Sequence, residues 1–316
     1  MLYDLNIAWS PSTSAAELER TLRFSSQLGY NVVALNHNLD APLPSQIPNP
    51  IPQFPPSKPE DRQQRIPTVL RRLTVNFSDP SQNQQLPKAA QAYDILALRP
   101  QTEKAFQAAC VTVSITEVSI ISLDLTARLP FHLRPKPCMA AIARGLRFEV
   151  AYGRVLRPDA DARARANFAG NVVQLVRATR GRGLILSSEA NNAMALRGPA
   201  DVVNLLAVWG LPTDRGMEAL GTNPRGVVVN EGIKRSGFRG VVNIVSVAER
   251  SEEEQAKLAK GKEKEIVEVK DNRKRKNGGG ETTGRGGENA PISKRQAKKL
   301  KAAIRKKEVE EKGAQS

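Results

Sequence analysis

The residues able to do chemistry are few, and their scarcity narrows the possibilities. The 316-residue chain holds two histidines, His37 and His132, and two cysteines, Cys110 and Cys138. A phosphoesterase built on two or three metal ions needs several imidazoles and carboxylates drawn together. Here the first predicted strand carries Asp4 and Asn6 where an H-x-H pair would stand. The remaining ligands for a hard cation are Asp4, Asp124, Glu149 and Glu189. Magnesium asks for only one or two carboxylates plus substrate oxygens, so an independent metal-dependent phosphoesterase is the alternative reading. The competing reading is structural, with Asp4 and Glu149 as polar plugs paired with arginines inside the fold and His37 bonded to a neighbouring loop. Ser187 and Ser188 follow a predicted strand, but no G-x-S-x-G elbow surrounds them. They are expected to act as hydroxyl or backbone donors. Glu149 and Glu189 could suggest a glycosidase pair, yet an aromatic content of 4% leaves little to stack on sugars.

The charged groups point elsewhere. The formal net charge is +16, a long-range attraction for polyanions. Residues 1–248 hold 28 Lys+Arg against 19 Asp+Glu, and residues 249–316 hold 20 against 13. Arginine dominates the first part and lysine the second. Guanidinium is a planar fork matched to fixed phosphate geometry, whereas ammonium is a mobile point charge. Modules that read single strands stack bases on exposed aromatics, and this chain has few. Cations without aromatics point to recognition of folded RNA through its backbone and shape. The candidate RNA-binding residues are Arg99, Lys104, Arg128, His132, Arg134, Lys136 and Arg197 at one face, with Arg180 and Arg182 at the opposite one.

The elements that must position these groups alternate. Strands are expected at Leu2–Trp9, Tyr30–His37, Leu70–Phe77, Asp94–Leu98, Val118–Leu125, Leu146–Tyr152 and Gly183–Ser187. Ser14 and Glu17 form a capping box for a helix that ends at Gly29. Phe106, Ala109, Cys110 and Val113 mark one face of a second helix, and another lies around Ala140. A further helix is read from Asp159 to Arg180. Pro199 opens the next one and Gly210 closes it. Strand–helix alternation implies parallel pairing by right-handed crossovers. The expected fold is α/β, a TIM-barrel-like arrangement of about seven parallel strands with surrounding helices, and catalytic equipment in such barrels gathers at the C-terminal strand ends. No G-x-G-x-x-G or P-loop follows any strand, which argues against a nucleotide-binding sheet. An eighth strand is left open: Asn223-Pro224 reads as a helix start, Val227–Val229 has strand character, and 240–247 could be extended.

Two segments stand apart. Residues 40–63 hold eight prolines and are expected to form an irregular insertion outside the core of a 1–248 barrel domain. Residues 249–316 read as a disordered basic tail with a possible helix at 293–312. Within the tail, Arg273, Lys274, Arg275 and Lys276 resemble a nuclear import signal. No apolar run approaches the roughly 18 residues of a membrane span. The first residues, MLYDLNIAW, lack a basic region and read as a strand, so no signal peptide and no membrane partner are expected. Absence of a C-x-x-C pattern suits a reducing compartment.

Five segments occur in order: LTVNFSDPS (73–81), YDILALRPQTEKAFQAAC (93–110), LPFHLRP (129–135), ARGLRFEVAY (143–152) and LILSSEANNAMALRGPADVVNLLAVWGL (184–211). Over roughly residues 1–245 the chain resembles the thirty-kilodalton protein subunit of nuclear ribonuclease P and ribonuclease MRP. The resemblance implies a barrel related to metal phosphoesterases but without their metal-site histidines. It implies that no cofactor is bound by the chain and that catalysis belongs to an RNA with its magnesium. It also implies several partners: the structured non-coding RNAs of the two particles, precursor tRNA indirectly, a small ferredoxin-like protein and other subunits. Expected roles are tRNA 5′-leader removal and ribosomal RNA processing, in the nucleus and its nucleolus.

Overall fold

A computed structural model describes residues 1–54, 66–114, 116–157, 160–238 and 242–243. The chain divides into a compact unit, Met1–Ser246, and a second, Val247–Ser316. The barrel lies wholly in the first. Several expectations fall outside the described residues: the helix start at Asp159, insertion residues 55–63, and everything expected of the tail from 249 to 316, including the 293–312 helix and the 273–276 cluster.

Seven strands form one parallel sheet in sequence order: β1 (Leu2–Ala8), β2 (Tyr30–Asp40), β3 (Thr68–Phe77), β4 (Ile95–Pro100), β5 (Ile120–Ser122), β6 (Arg147–Ala151) and β7 (Leu184–Ser187). The β2–β3 register runs unbroken from Val32↔Thr68 to Asp40↔Asn76. β1 instead carries register shifts between Leu2 and Tyr3 and between Asp4 and Ile7. These bend its end toward the segment after β7. There Ala8 N–H donates to Ala190 O at 2.9 Å and Glu189 N–H donates to Asn6 O at 2.7 Å. The barrel therefore closes at its C-terminal rim through a short loop segment rather than an eighth strand.

Helices cover the outside. α1 (Ala15–Gln27) starts where Ser14 Oγ accepts from Glu17 N at 3.2 Å, and it stops at Gly29, whose φ of 97° suits a residue without Cβ. It buries Leu18 and Leu22. After β3 come a 3-10 turn (Pro80–Gln85) and α2 (Leu86–Ala92), neither evident in the sequence reading. α3 (Glu103–Val111) and α4 (Pro135–Ala143) flank β4 to β6, and a one-turn α5 (Gly153–Leu156) follows β6. α6 (Ala162–Thr179) is capped by Asp161, whose Oδ1 accepts from Ala164 N at 2.6 Å. α7 (Pro199–Val208), α8 (Thr213–Leu220) and α9 (Thr222–Ser236) complete the barrel layer. A two-stranded antiparallel ribbon follows, β8 (Gly237–Phe238) with β9 (Val242–Asn243). Val227–Val229 thus belong to a helix: Val227 is buried against the lower barrel residues Leu5, Ala34, Ala97 and Ile185, and Asn223 Nδ2 donates to Leu184 O at 2.8 Å.

One expectation is corrected. The Pro-rich segment is not wholly outside the core, because Leu43 and Ile51 are buried in the main apolar cluster. Asn49 Nδ2 donates to Ala92 O at 2.8 Å, and Tyr93 donates its hydroxyl proton to Pro48 O at 3.2 Å. A proline lacks the N–H that a ladder needs, and between the prolines Leu43 and Ile51 turn inward.

Gly153 sits where the ends of β6 and β7 touch, and a Cβ there would lie 2.1 Å from the carbonyl oxygen of Ser188. Gly153→Ala is expected to destabilise the barrel by about 1–3 kcal/mol. Gly170→Ala, in α6 with open space around it, is expected to stabilise by roughly 0.5–1 kcal/mol. Urea midpoints of the two variants check the contrast.

Candidate functional site

The inward-facing residues of the strands form tiers. Lowest is an apolar layer of Val32, Ala34, Ile95, Ala97, Ile120 and Ile185. Above it the interior turns polar, although its central groups are shielded from solvent. Arg72 and Glu149 are fully buried and joined by two parallel bonds, Nη1 to Oε1 at 2.5 Å and Nη2 to Oε2 at 2.6 Å. Arg72 also donates to Leu5 O at 2.7 Å and to Thr74 Oγ1 at 3.2 Å. Ser187 Oγ donates to Glu149 at 2.7 Å. Thr74 passes a bond to Asn36 Oδ1 at 2.8 Å, and Asn36 donates to Asn6 Oδ1 at 2.9 Å. Burial alone would raise the Glu149 pKa. The Arg72 charge and its hydrogen bonds, with those of Ser122 and Ser187, outweigh burial and bring it to about 2.

The top tier closes the mouth. Arg99 donates to Glu189 Oε1 and to Ser122 Oγ, each at 3.2 Å. Arg154 bridges Glu189 at 3.0 Å and Asp124 at 2.7 Å. Asp124 is further held by the hydroxyl of Thr126 at 2.6 Å. Its burial, which raises the pKa, is outweighed by Thr126 and Arg154, and the group stays below the usual carboxylate range. Glu189 adopts φ 48°, a left-handed conformation that costs a non-glycine residue on the order of 1 kcal/mol or more. That turn aims its carboxylate at both arginines while its N–H closes the seam on Asn6.

This arrangement bears on the metal reading. Glu149, Glu189 and Asp124 each face a guanidinium, so a dication would compete with a resident positive charge. Among the described residues no group of three or more His, Cys, Asp or Glu stands close enough to share a metal ion. The described residues of the mouth do not fit a metal centre. Both serines are engaged, Ser187 with Glu149 and Ser188 Oγ with Asn6 O at 3.2 Å. His37 shares a hydrogen bond with Tyr93 at 3.0 Å, and Tyr93 holds the Pro48 loop, as the sequence reading expects.

Asp4 departs from that reading. Among the described residues it pairs with no arginine. Its Oδ1 accepts from the Ser188 N–H at 3.0 Å and the Asn6 N–H at 3.3 Å, and its Oδ2 and Asn6 Nδ2 lack partners among the described residues. Burial pushes its pKa up to about 6.

The structure sorts the expected RNA-binding residues. Arg99 is corrected, because it is buried and held by Glu189 inside the barrel. Lys104, Arg128, His132, Arg134 and Lys136 are exposed on the strand-end side. Lys104, Arg134 and Lys136 line one hollow between α3 and α4. Arg180 and Arg182 are exposed at the other end, between α6 and β7. Arg197 lies just before α7, its guanidinium tethered to Met194 O at 2.7 Å and Leu196 O at 2.8 Å. It shares a hollow of about 410 Å³ with Arg157, Asn191 and Asn192. Arg157 donates to Asn191 Oδ1 at 3.0 Å. Sequence reasoning missed Arg154, Arg157 and Asn191 because the first sits in the one-turn α5 and the other two in short connections, none with a period to read. Arg72 was legible in principle, as a charge inside the apolar β3.

The buried groups set measurable stability terms. Glu149→Gln removes the countercharge of Arg72 and is expected to cost about 3–5 kcal/mol of unfolding free energy, while Arg72→Met with Glu149→Leu recovers most of it; chemical denaturation reads both. The pH dependence has two arms. Glu149, with its folded pKa lowered, contributes stability above about 4.5 that is lost as pH falls toward 2. Asp4, with its folded pKa raised, binds its proton more tightly when folded, so stability declines as pH rises from about 4 to about 6. Asp4→Asn is expected to abolish that second slope in denaturation curves recorded between pH 4 and 7.

Known proteins give this geometry a context. Residues 1–236 match the family model described as RNase P subunit p30. The Schizosaccharomyces pombe protein named "Probable ribonuclease P protein subunit 3" is 34% identical over 247 residues, covering 77% of this chain and 99% of its own. Mouse ribonuclease P protein subunit p30 is 33% identical, over 74% of this chain and 87% of its own. The Saccharomyces cerevisiae ribonuclease P/MRP protein subunit RPP1 is 30% identical, over 77% and 84%. A chain in the cryo-EM structure of archaeal ribonuclease P with mature tRNA shares the fold, with a TM-score of 0.56 at 15% identity over 78% of this chain and all of that one. With a family match spanning the barrel and relatives aligned along most of their length, this chain belongs to the RNase P subunit p30 family.

Proposed function

We propose that the chain is a non-catalytic protein subunit of the ribonucleoprotein endoribonuclease RNase P, and of RNase MRP. In this reading it binds and supports a structured RNA that removes 5′ leaders from precursor tRNA and, in the second particle, processes ribosomal RNA. The observation that carries it is the filled mouth. At the position where a barrel enzyme keeps its reactive groups, Arg72, Arg99 and Arg154 neutralise Glu149, Glu189 and Asp124. The cations left over stand on the rim and at the opposite end. Magnesium belongs with the RNA, and the chain holds no cofactor of its own. The RNA contacts we assign are Arg128, His132, Arg157 and Arg197 around the mouth and Arg180 with Arg182 at the far end. Oriented guanidinium groups beside carboxamides suit phosphate and base edges. The basic cluster Arg273–Lys276 would carry the chain into the nucleus and its nucleolus, and a small ferredoxin-like subunit is among its proposed partners.

The test is to purify the tagged full chain gently from its own cells and sequence the attached RNA. One or two abundant structured RNAs, with magnesium-dependent precursor-tRNA cleavage in the eluate, are expected. An RNA-free chain that hydrolyses phosphate esters with its own metal would reverse the assignment. For the purified chain and its RNA, log Kd should rise linearly with log salt. Arg180→Glu with Arg182→Glu should lower that slope by about 1–2, near 0.9 for each phosphate no longer neutralised.

A further inference from the structure

The exposed cations do not all stand in the same kind of place. Lys104, Arg134 and Lys136 surround a hollow of about 880 Å³ between α3 and α4. Its uncharged lining is mainly aliphatic, Ala108 and Val111 of α3 with Pro137 and Ala140 of α4, and Gln107 and Thr112 are the polar members. Val111 is 57% exposed, although the opposite face of α3 (Ala105, Phe106, Ala109) is packed in the core. A nearby carboxylate, Glu103, reaches Arg134 only at 4.0 Å with both side chains largely in solvent, an ion pair worth little. A phosphate backbone gains nothing from an aliphatic floor. By contrast, the hollow at Arg157 and Arg197 offers carboxamides and a tethered guanidinium.

We infer that the α3–α4 groove docks a helix of a partner protein, one with aliphatic side chains on one face and aspartate or glutamate flanking them. Two observations fix that chemistry. The floor requires apolar side chains, because Val111 left in water forgoes burial worth roughly 25 cal/mol per Å². The end of the groove at the N-termini of α3 and α4 carries three cations. They stand against two exposed carboxylates, Glu103 beside Arg134 and Asp79, whose pKa is lowered by hydrogen bonds from Ser81 with help from Lys104. That end therefore complements acids flanking one end of an apolar stripe. No strand edge borders the groove, since β4 is hydrogen-bonded to β3 and β5, which excludes strand addition. A helix laid into the furrow between two helices matches the spacing of their side-chain ridges. The cations that sequence reasoning assigned to RNA here thus act as the charged border of a protein interface.

The inference rests on the chain being a particle subunit, and the experiment reads the two separately. Val111 is replaced by a benzophenone amino acid in the full chain, particles are purified from cells, and the sample is irradiated. Its exposure makes the replacement compatible with folding, which a thermal melt verifies. The expected product is a crosslink to a different protein, through a segment with aliphatic residues at helical spacing and adjacent acids. Lys104→Glu with Lys136→Glu should lower its yield by about three- to tenfold, as rim charges govern encounter. A crosslink to RNA, a crosslink to a second copy of this chain, or no crosslink would each overturn the inference. The RNA content of the same eluate judges the subunit assignment independently.

Discussion

The bond between Arg72 and Glu149 organises the barrel interior. Two charges with no exposed side-chain surface must satisfy each other, and this pair does so through two parallel bonds. Their remaining donors and acceptors then dictate the neighbours. Thr74, Ser187 and the Leu5 carbonyl complete the shell, and Thr74 passes the constraint to Asn36 and Asn6. Strands β1, β2, β3, β6 and β7 are thereby tied through their centres as well as along their edges. A buried pair of this kind is weak evidence for stability, since aliphatic residues of similar volume fill such a space as well. What it does impose is register, because a one-residue slip of β3 would turn the guanidinium outward into the apolar layer beneath the helices.

The same constraint bears on function. A barrel of this type offers its upper interior to substrates, and here that space is taken up by guanidinium–carboxylate pairs. Arg99, Arg154, Glu189 and Asp124 continue the network to the rim. Closure at the seam depends on this upper layer, because the residue that completes it, Glu189, both bonds β1 through its backbone and anchors the arginines through its side chain. Among the described carboxylates of the interior, Asp4 is left without a cation, and it sits beside that seam. The mouth is thus filled with paired charges.

On that surface, charge alone does not specify a partner. The groove beside Val111 and the hollow beside Arg157 both carry positive charge. Their linings differ in degree: the first is mainly aliphatic, whereas the second sets Asn191 and Asn192 among Leu156, Met194 and Ala195. The far end, with Arg180 and Arg182 exposed, adds a third separated cationic patch. The proposed binding of RNA and of protein on different faces would use this separation.

Much of the fold was legible in the residues. All seven strands overlap their expected spans, with β2, β3 and β4 running two or three residues further, because each is a short apolar run bounded by turn residues and separated by an amphipathic period. The helices opened by Ser14 and Pro199 start where their capping residues stand. Family membership was legible too, through segments such as LILSSEANNAMALRGP. Helices α2, α5 and α8 were not, being too short or too mixed for a period to emerge. Val227–Val229 stayed ambiguous because a β-branched run suits either element until burial decides. For the site, composition determined what the protein lacks, since two histidines cannot build an imidazole-rich centre. Tertiary structure alone decided which charges are partners: Arg72 with Glu149 lies 77 residues apart, and Arg99 with Glu189 lies 90 apart. A charge on a strand has no sequence signal for the one it will meet, because that meeting is fixed by strand order and register across a closed barrel.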